Sequence, residues 1–242
     1  MKLPRLLALL TAALALTAFS GTTTAATPAL PAGWISLFNG RDLTGWKTPI
    51  GDNGHWKVLN GVIDYDARSE APGDKNLWSE KSYRDFTLRL DWRIKETTGL
   101  YPIPTVLPDG KDLVTPTPNA DSGIYLRGAS KAQLNIWCWP IGSGEVYGYR
   151  MDAKMPPSVR AGVTPKVRAD KPVGEWNTFE ITLRGERLTV ILNGKTVIEN
   201  AELPGLPATG PLAFQHHGGW KDGKYNPASS LVQFRNVSIK EL

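Results

Sequence analysis

Amide, imidazole, guanidinium and aromatic side chains recur at alternate positions in three short stretches of the sequence, around residues 124–127, 133–137 and 212–217. Successive side chains of a β-strand point to opposite faces, so polar residues between apolar neighbours share one face. If the three strands are neighbours, one surface carries Tyr125, Arg127, Gln133, Asn135, Trp137, Gln215 and His217. Planar hydrogen-bonding groups beside aromatic rings match a sugar, whose hydroxyls need partners and whose C–H face packs on rings. A solvated sheet face is the plainer interpretation.

The strands that must position these side chains follow from the same alternation. Residues 86–95 alternate apolar and polar types without a break, and residues 179–183 and 188–192 repeat the pattern. Asn193-Gly194 and Asn60-Gly61 are typical of hairpin turns. The run 231–239 changes parity, which predicts a β-bulge. With no long helical period, the sequence predicts an all-β fold, an antiparallel two-sheet β-sandwich.

Two proline-rich segments interrupt this rhythm, at residues 99–120 and 150–175. Proline cannot donate to a β-ladder, so the first segment is not a central strand. Long loops inside a compact domain are usually functional or disordered. We therefore expect both segments to form walls around a site.

Composition and charge restrict where the chain works and what it binds. Residues 1–26 have the basic, apolar and small-residue regions of a secretory signal, which leaves one predicted domain over 27–242 and a periplasmic or secreted location. The net charge is +5, and acidic residues are interspersed with the basic ones, which argues against nucleic acid as a partner. The later segments are too polar to span a membrane. Cys138 is the only cysteine, so the fold contains no intramolecular disulfide.

Five sequence blocks recur in an order typical of one protein family. They are GWISLFNGRDLTGW at 33–46, DFTLRLDWR at 85–93, DSGIYLRG at 121–128, QHHG at 215–218 and FRNV at 234–237. Together they resemble the 3-keto-disaccharide hydrolase domain family. The resemblance covers essentially all of residues 33–242. It implies a concanavalin A-like jelly roll, in agreement with the alternation, and action on glycosides or oligosaccharides that carry a ketone at C3.

One block departs from the family pattern. Many members have a YEVQI strand after the SGIYLRG block, whereas this chain has KAQLNIW at 131–137. Gln133 keeps the glutamine, but its acidic neighbour is missing. Glu145, in the following segment 142–150, is a candidate replacement carboxylate.

A ketone at C3 acidifies the proton on C2, so a base can remove that proton and the group on C1 can leave by β-elimination. Such a route needs a base with a pKa near neutral and a partner for the enolate oxygen. The candidate bases are His217 and Glu145, and the enolate and hydroxyl partners are Arg127 and Gln133. Asp121 or Tyr149 would assist the leaving group, and Trp137 would be a stacking platform. No cofactor is evident, although a divalent metal in place of Arg127 stays open.

Other functions remain open at this point. The Glu-x-Asp-x-x-Glu strand of laminarinase-like enzymes is absent, which disfavours ordinary retaining hydrolysis of an unmodified glycan. A carbohydrate-binding module without catalysis would use the same amide and aromatic face. A structural or adhesion domain would not require that polar face.

Overall fold

The computed structural model describes residues 30–106, 109 and 112–242. The predicted signal segment 1–26 lies outside the described residues. Among the described residues, no helix combines the length and the apolar character needed to cross a bilayer.

Seventeen strands and two short helices are present in the described part of the chain. In order they are β1 (Ile35–Ser36), β2 (Trp46–Lys47), β3 (Trp56–Leu59), β4 (Val62–Tyr65), β5 (Leu77–Tyr83), β6 (Phe86–Ile94), β7 (Leu100–Val106), β8 (Asp112–Pro118), β9 (Asp121–Leu126), β10 (Ala129–Trp137), α1 (Tyr147–Arg150), α2 (Pro157–Gly162), β11 (Asn177–Arg184), β12 (Arg187–Leu192), β13 (Lys195–Glu202), β14 (Gly210–Phe214), β15 (Gly219–Lys221), β16 (Lys224–Asn226) and β17 (Val232–Glu241).

The strands form two antiparallel sheets that share one hydrophobic core. The larger sheet has the order β13-β12-β11-β6-β17-β4-β3, with β1 paired to β17, and the smaller has the order β10-β9-β14-β5-β2. Apolar side chains from both sheets meet between them, including Leu90 and Phe179 of the larger sheet and Ile124 and Leu134 of the smaller. The architecture is the antiparallel two-sheet β-sandwich that the alternation predicts, and it has the jelly-roll form that the family resemblance implies.

The local signals for strands and turns are confirmed. In β6 the apolar positions are buried and the polar positions between them are more exposed. Asn60-Gly61 joins β3 to β4, and Asn193-Gly194 joins β12 to β13, with positive φ at all four residues. A bulge between Arg235 and Ser238 of β17 accounts for the parity change. Each buried aliphatic or aromatic side chain contributes roughly 1.5–3 kcal/mol, so the alternation carries much of the folding free energy.

Both proline-rich segments leave the two sheets, as predicted. The first contains the hairpin β7–β8, whose strands pair only with each other among the described residues, so its prolines occupy edge positions. The second contains α2, which starts at Pro157, where proline needs no amide hydrogen. The segment between β10 and α1 folds back along β10, through a bridge between Leu134 and Val146.

Candidate active site

The outer face of the smaller sheet carries three rows of side chains, defined by the strand registers. The first row contains Gln133, Tyr125, Ala213 and Trp78; the second contains Asn135, Gly123 and Gln215; the third contains Trp137, Asp121 and His217. Core-facing residues such as Ile124 and Leu134 separate them along the strands. The registers of β10, β9 and β14 therefore bring seven of the predicted site residues onto one surface.

Three amide side chains form a continuous hydrogen-bonded network in the middle of this face. Gln133 Nε2 donates to Gln215 Oε1 at 2.6 Å, and Gln215 Nε2 donates back to Gln133 Oε1 at 3.1 Å. Gln133 Nε2 also donates to Asn135 Oδ1 at 2.6 Å. The amides are buried and largely satisfied by one another, which holds their remaining donors and acceptors in fixed directions.

Gly123 makes the amide network possible. A Cβ at this position would lie 2.8 Å from the Leu134 carbonyl oxygen and 2.9 Å from Cγ of Gln133. The Gln133 side chain crosses β9 at Gly123 to reach Gln215. Any larger residue at position 123 would clash with the Gln133 side chain.

Glu145 lies beside Asn135 because its segment pairs with the edge of β10. The Asn135 amide donates to the Glu145 carbonyl at 2.9 Å, and Gly144 N–H donates to the Asn135 carbonyl at 2.8 Å. The Glu145 carboxylate accepts a hydrogen bond from Asn135 Nδ2 at 3.1 Å and forms an ion pair with Arg150. Burial raises the pKa of Glu145 to about 7, against the lowering effects of Arg150 and Asn135.

Arg150 places a positive charge beside Glu145, a role that the sequence patterns did not indicate. Its guanidinium contacts Glu145 from the end of α1, and its side chain remains 24% exposed. Arg150 is five residues after Glu145, in a segment whose period does not predict a helix. The sequence therefore indicated the ion pair only through the opposite charges of Glu145 and Arg150, five residues apart.

Asp121 and His217 form a second titratable pair on the third row. His217 Nε2 lies 3.7 Å from Asp121 Oδ2, and His217 Nδ1 lies 2.6 Å from the Ala228 carbonyl oxygen. Since a carbonyl oxygen only accepts hydrogen bonds, Nδ1 carries the hydrogen and Nε2 of the neutral ring keeps its lone pair. Ser230 joins the two residues, since its hydroxyl accepts from His217 N–H and donates to the Asp121 carbonyl.

Burial also raises the pKa of Asp121, to about 6, and the nearby His217 opposes that rise. Asp121 Oδ1 is buried with no hydrogen-bond partner in the described structure. A carboxyl group with this environment retains its proton more readily than an exposed one. The pair therefore combines a proton acceptor, His217 Nε2, with a carboxyl group that can hold a proton near pH 6.

Aromatic residues flank the polar face on two sides. Trp78 stacks against Tyr125 with ring centroids 5.8 Å apart. Beyond Asp121, Trp137 stacks on Trp139 at 4.5 Å, and Trp139 stacks on Tyr101 of β7 at 4.5 Å. The proline-rich segment 99–120 thus supplies one wall of the site through Tyr101.

The prediction that Arg127 shares this face is wrong. Strand β9 ends at Leu126, and Arg127 adopts a φ of +49°, so the alternation does not continue to it. Its buried guanidinium donates to the carbonyls of Arg84 at 2.5 Å and Gly185 at 2.7 Å, and to Asp85 Oδ1 at 2.8 Å. Arg127 is thus a structural residue at one end of the sandwich, away from the amide network.

Two further predicted positions differ in detail. Tyr149 is in α1, buried in the hydrophobic core, and its hydroxyl donates to the Pro204 carbonyl at 3.2 Å. Burial raises its pKa to about 12, so its position and its proton affinity both disfavour a leaving-group role. Trp137 is on the predicted face but is only 4% exposed, under Trp139, so Trp139 presents the outer ring of that stack.

The arrangement supplies the components of proton-transfer chemistry on a polar ligand. It combines three titratable side chains, a cation and an amide network on one surface, which is uncommon for a purely structural sheet face. No group of three or more His, Cys, Asp or Glu side chains in the described residues is arranged to hold a metal ion.

Comparisons with known proteins agree with this fold. Three crystal structures of candidate glycosyl hydrolases from Parabacteroides distasonis ATCC 8503 are similar to this chain. The first is 23% identical with a TM-score of 0.54, over 87% of this chain and 94% of that chain. The second is 20% identical with a TM-score of 0.56, over 88% and 85%. The third is 22% identical with a TM-score of 0.52, over 86% and 99%. A search of curated protein sequences found no match.

The sequence match to a family is more extensive than any one of the motifs that suggested it. Residues 33–240 match the family described as the 3-keto-alpha-glucoside-1,2-lyase-like domain. The match includes both sheets and every residue of the polar face. The chain therefore belongs to the 3-keto-disaccharide hydrolase family, a carbohydrate-related family with the jelly-roll fold.

Proposed function

We propose that this protein cleaves the glycosidic bond of glycosides and disaccharides that carry a ketone at C3. The observation that carries the proposal is the Asp121–His217 pair beside the amide network. His217 Nε2 keeps a lone pair, and its ring is 42% exposed. The family match supports the substrate class, because the family is named for a lyase acting on 3-keto-glucosides.

The reaction begins with removal of the C2 proton by His217 Nε2. The electron pair of the C–H bond forms an enolate whose charge rests on the C3 oxygen. The C1–O bond then breaks, a C1–C2 double bond forms, and the leaving oxygen takes a proton from the Asp121 carboxyl group. Addition of water across that double bond gives the free 3-keto sugar, so the net change is hydrolysis.

His217 is the better candidate base of the two that the sequence left open. The Glu145 side chain has no exposed surface and is already paired with Arg150 and Asn135. A base must approach the proton to hydrogen-bond distance, which the exposed imidazole can do and the buried carboxylate cannot. Glu145 instead holds Arg150 in place.

Arg150 is the proposed partner of the enolate oxygen. Asn135 is buried like Glu145, so its Nδ2 donates to the Glu145 carboxylate and helps to position the Glu145–Arg150 pair. The Arg150 guanidinium adds a positive charge that is partly exposed. Prepositioned donors of this kind stabilise developing negative charge and typically contribute about 100- to 1,000-fold in rate.

We also propose that the chain acts outside the cytoplasm, in the periplasm or as a secreted protein. The proposal rests on the signal-like sequence of residues 1–26. Measuring the N-terminal residue of the exported protein would test it, and an unprocessed, cytoplasmic product would contradict it.

The activity is tested with methyl 3-keto-α-glucoside and methyl α-glucoside in deuterated water. We expect the protein to exchange the C2 proton of the first compound for deuterium and release methanol, while leaving the second unchanged. H217A should reduce the rate by at least about 100-fold, the usual contribution of a general base. NMR measures the exchange and the release together.

H55A is the matched control, because His55 also pairs with an aspartate, Asp66, at 2.9 Å, but precedes β3 in the larger sheet. Its rate should equal that of the wild type. An unaltered rate in H217A would remove His217 from the mechanism. If the folded wild-type protein binds both compounds without exchange or cleavage, it is a carbohydrate-binding module and not an enzyme.

A further inference from the structure

A cleft of about 360 Å³ lies between the β15–β16 hairpin and the chain that connects β6 to β7. Trp220 and Tyr225 face it from the hairpin, and Glu96 and Thr97 face it from the connection. Its size falls within the range of small-molecule sites, about 300–1,000 Å³. None of its lining residues belongs to the polar face described above.

Trp220 is exposed, yet its ring is firmly supported. The side chain is 42% exposed, while the Arg68 guanidinium carbon lies 3.9 Å from the ring centroid. Arg68 Nε also donates to the Tyr225 hydroxyl at 3.1 Å, which joins the two aromatic residues of the hairpin. Arg68 is outside the cleft lining, so this cation–π contact holds the ring and leaves the rest of it to the cleft.

The lining chemistry matches a sugar ring. An indole ring gives a flat apolar surface for the C–H face of a pyranose. The Glu96 carboxylate accepts hydrogen bonds from hydroxyls, the Lys224 ammonium donates to them, and the Thr97 hydroxyl can do either. Because the lining carries both an acidic and a basic side chain, it favours a neutral, hydroxyl-rich ligand over an ion of one sign.

The cleft adjoins the segment that holds the catalytic pair. Pro227 lines the cleft, and the next residue, Ala228, accepts the hydrogen bond from His217 Nδ1. Thr98, another lining residue, accepts a hydrogen bond from Ser229 N–H at 2.9 Å. Trp220 itself follows His217 by three residues. The cleft and His217 are therefore joined by the short segment 227–229.

We propose that this cleft binds the leaving-group sugar of a disaccharide substrate, with Trp220 as its stacking surface. The proposal rests on the proposed function, since it assumes that the ring cleaved at C1 sits beside His217. It makes Trp220 a residue that determines specificity for disaccharides over glycosides with a small leaving group.

The kinetic test compares 3-keto-maltose, with the ketone on its non-reducing ring, with methyl 3-keto-α-glucoside. W220A should raise KM for the disaccharide by about tenfold, the loss expected for one aromatic stacking contact, and leave the methyl glycoside unchanged. W220F keeps a ring and should recover most of the loss. W34A is the matched control, because Trp34 also stacks against an arginine, Arg89, at 4.9 Å, but beside the larger sheet.

An equal effect of W220A on both substrates, or no effect on either, would overturn the proposal. Binding of unoxidised maltose and methyl α-glucoside, measured by calorimetry, separates this result from a failure of the proposed function. If the wild type cleaves neither 3-keto substrate but W220A loses maltose binding, the cleft is a sugar site and the proposed reaction is wrong. If W220A binds maltose as tightly as the wild type does, the cleft proposal is wrong whatever the activity.

Discussion

Asp121 and Glu145 have raised pKa values for the same reason, removal from water, but their partners differ. Arg150 and Asn135 contact the Glu145 carboxylate and favour its charged form. The Asp121 carboxyl group lies beside the His217 imidazole, and one of its oxygens lacks a hydrogen-bond partner in the described structure. The two carboxyl groups therefore have different surroundings, since Glu145 contacts a cation and an amide, whereas Asp121 lies beside an imidazole with one oxygen unpaired in the described structure.

The pH dependence of stability should reveal the buried Glu145. Its pKa is about 7 in the folded protein, against 4.5 for the ordinary group. Between these values the folded state binds more protons than the unfolded state, so the unfolding free energy falls as pH rises from about 4.5 to 7. E145Q removes this contribution, of order 2–3 kcal/mol, and should be less sensitive to pH in that window. Urea unfolding at pH 4.5 and 7 measures the difference; parallel curves for the two proteins would contradict it.

The candidate site depends on the way that β9, β10 and β14 align. Each strand contributes side chains at every second position, and the antiparallel registers place these positions side by side. Gly123 lies at the crossing point, where the Gln133 side chain passes over β9. The segment after β10 then adds Glu145 as an extension of the second row.

We expect G123A to damage both the strand and the amide network. The added methyl group meets the Leu134 carbonyl and the Gln133 side chain, and overpacking of this kind costs about 1–3 kcal/mol. The melting temperature should fall by roughly 3–10 °C. G73A is the control, since Gly73 has no atom within 4 Å of an added Cβ and no positive φ. Equal melting temperatures for G123A and G73A would contradict the prediction, because they would show that the added methyl group at position 123 does not destabilise the fold.

The two sheets are connected at one end of the sandwich through Arg127. Its guanidinium bonds join the β5–β6 turn at Arg84 and Asp85, the β11–β12 turn at Gly185 and the loop before β14 at Pro207. The β5–β6 turn connects the smaller sheet to the larger one, the β11–β12 turn belongs to the larger sheet, and β14 belongs to the smaller sheet. A buried arginine with this many acceptors orients the turns, because each carbonyl would otherwise be desolvated without a donor.

R127K should therefore destabilise the whole fold and spare the active site. Lysine keeps the charge but cannot reach the four acceptors together, so we expect a loss of roughly 2–3 kcal/mol and a melting temperature lower by about 5–10 °C. The turnover number at low temperature should match the wild type. R187K, at an exposed ion pair with Glu202, should change stability by less than about 0.5 kcal/mol. A lost turnover number in folded R127K would return Arg127 to the mechanism.

Local physics accounts for what could be read directly from the residues. Residues alternate between apolar and polar in β6, β11 and β12 because each of these strands has one face in the core and one face in water. This pattern can be read from each strand's own sequence. The Asn-Gly turns follow from positive φ values that these residue types adopt readily. Gln133, Asn135 and Asp121 reach one face because alternation within a strand continues for as long as the strand does. Gln215 is one residue beyond β14 and keeps the same face because its N–H still bonds to the Gly123 carbonyl.

The remaining features depend on contacts between distant parts of the chain. Alternation predicted the wrong place for Arg127 because β9 ends one residue earlier, where a turn meets two other turns. Tyr149 and Arg150 are adjacent residues of a four-residue helix, and Tyr149 packs in the core while Arg150 contacts Glu145. The pKa values of Asp121 and Glu145 depend on burial by segments far away in sequence. The spacing of residues along the sequence does not determine which carboxyl groups are buried or which charges pair. These properties arise only when the two sheets and their loops pack together.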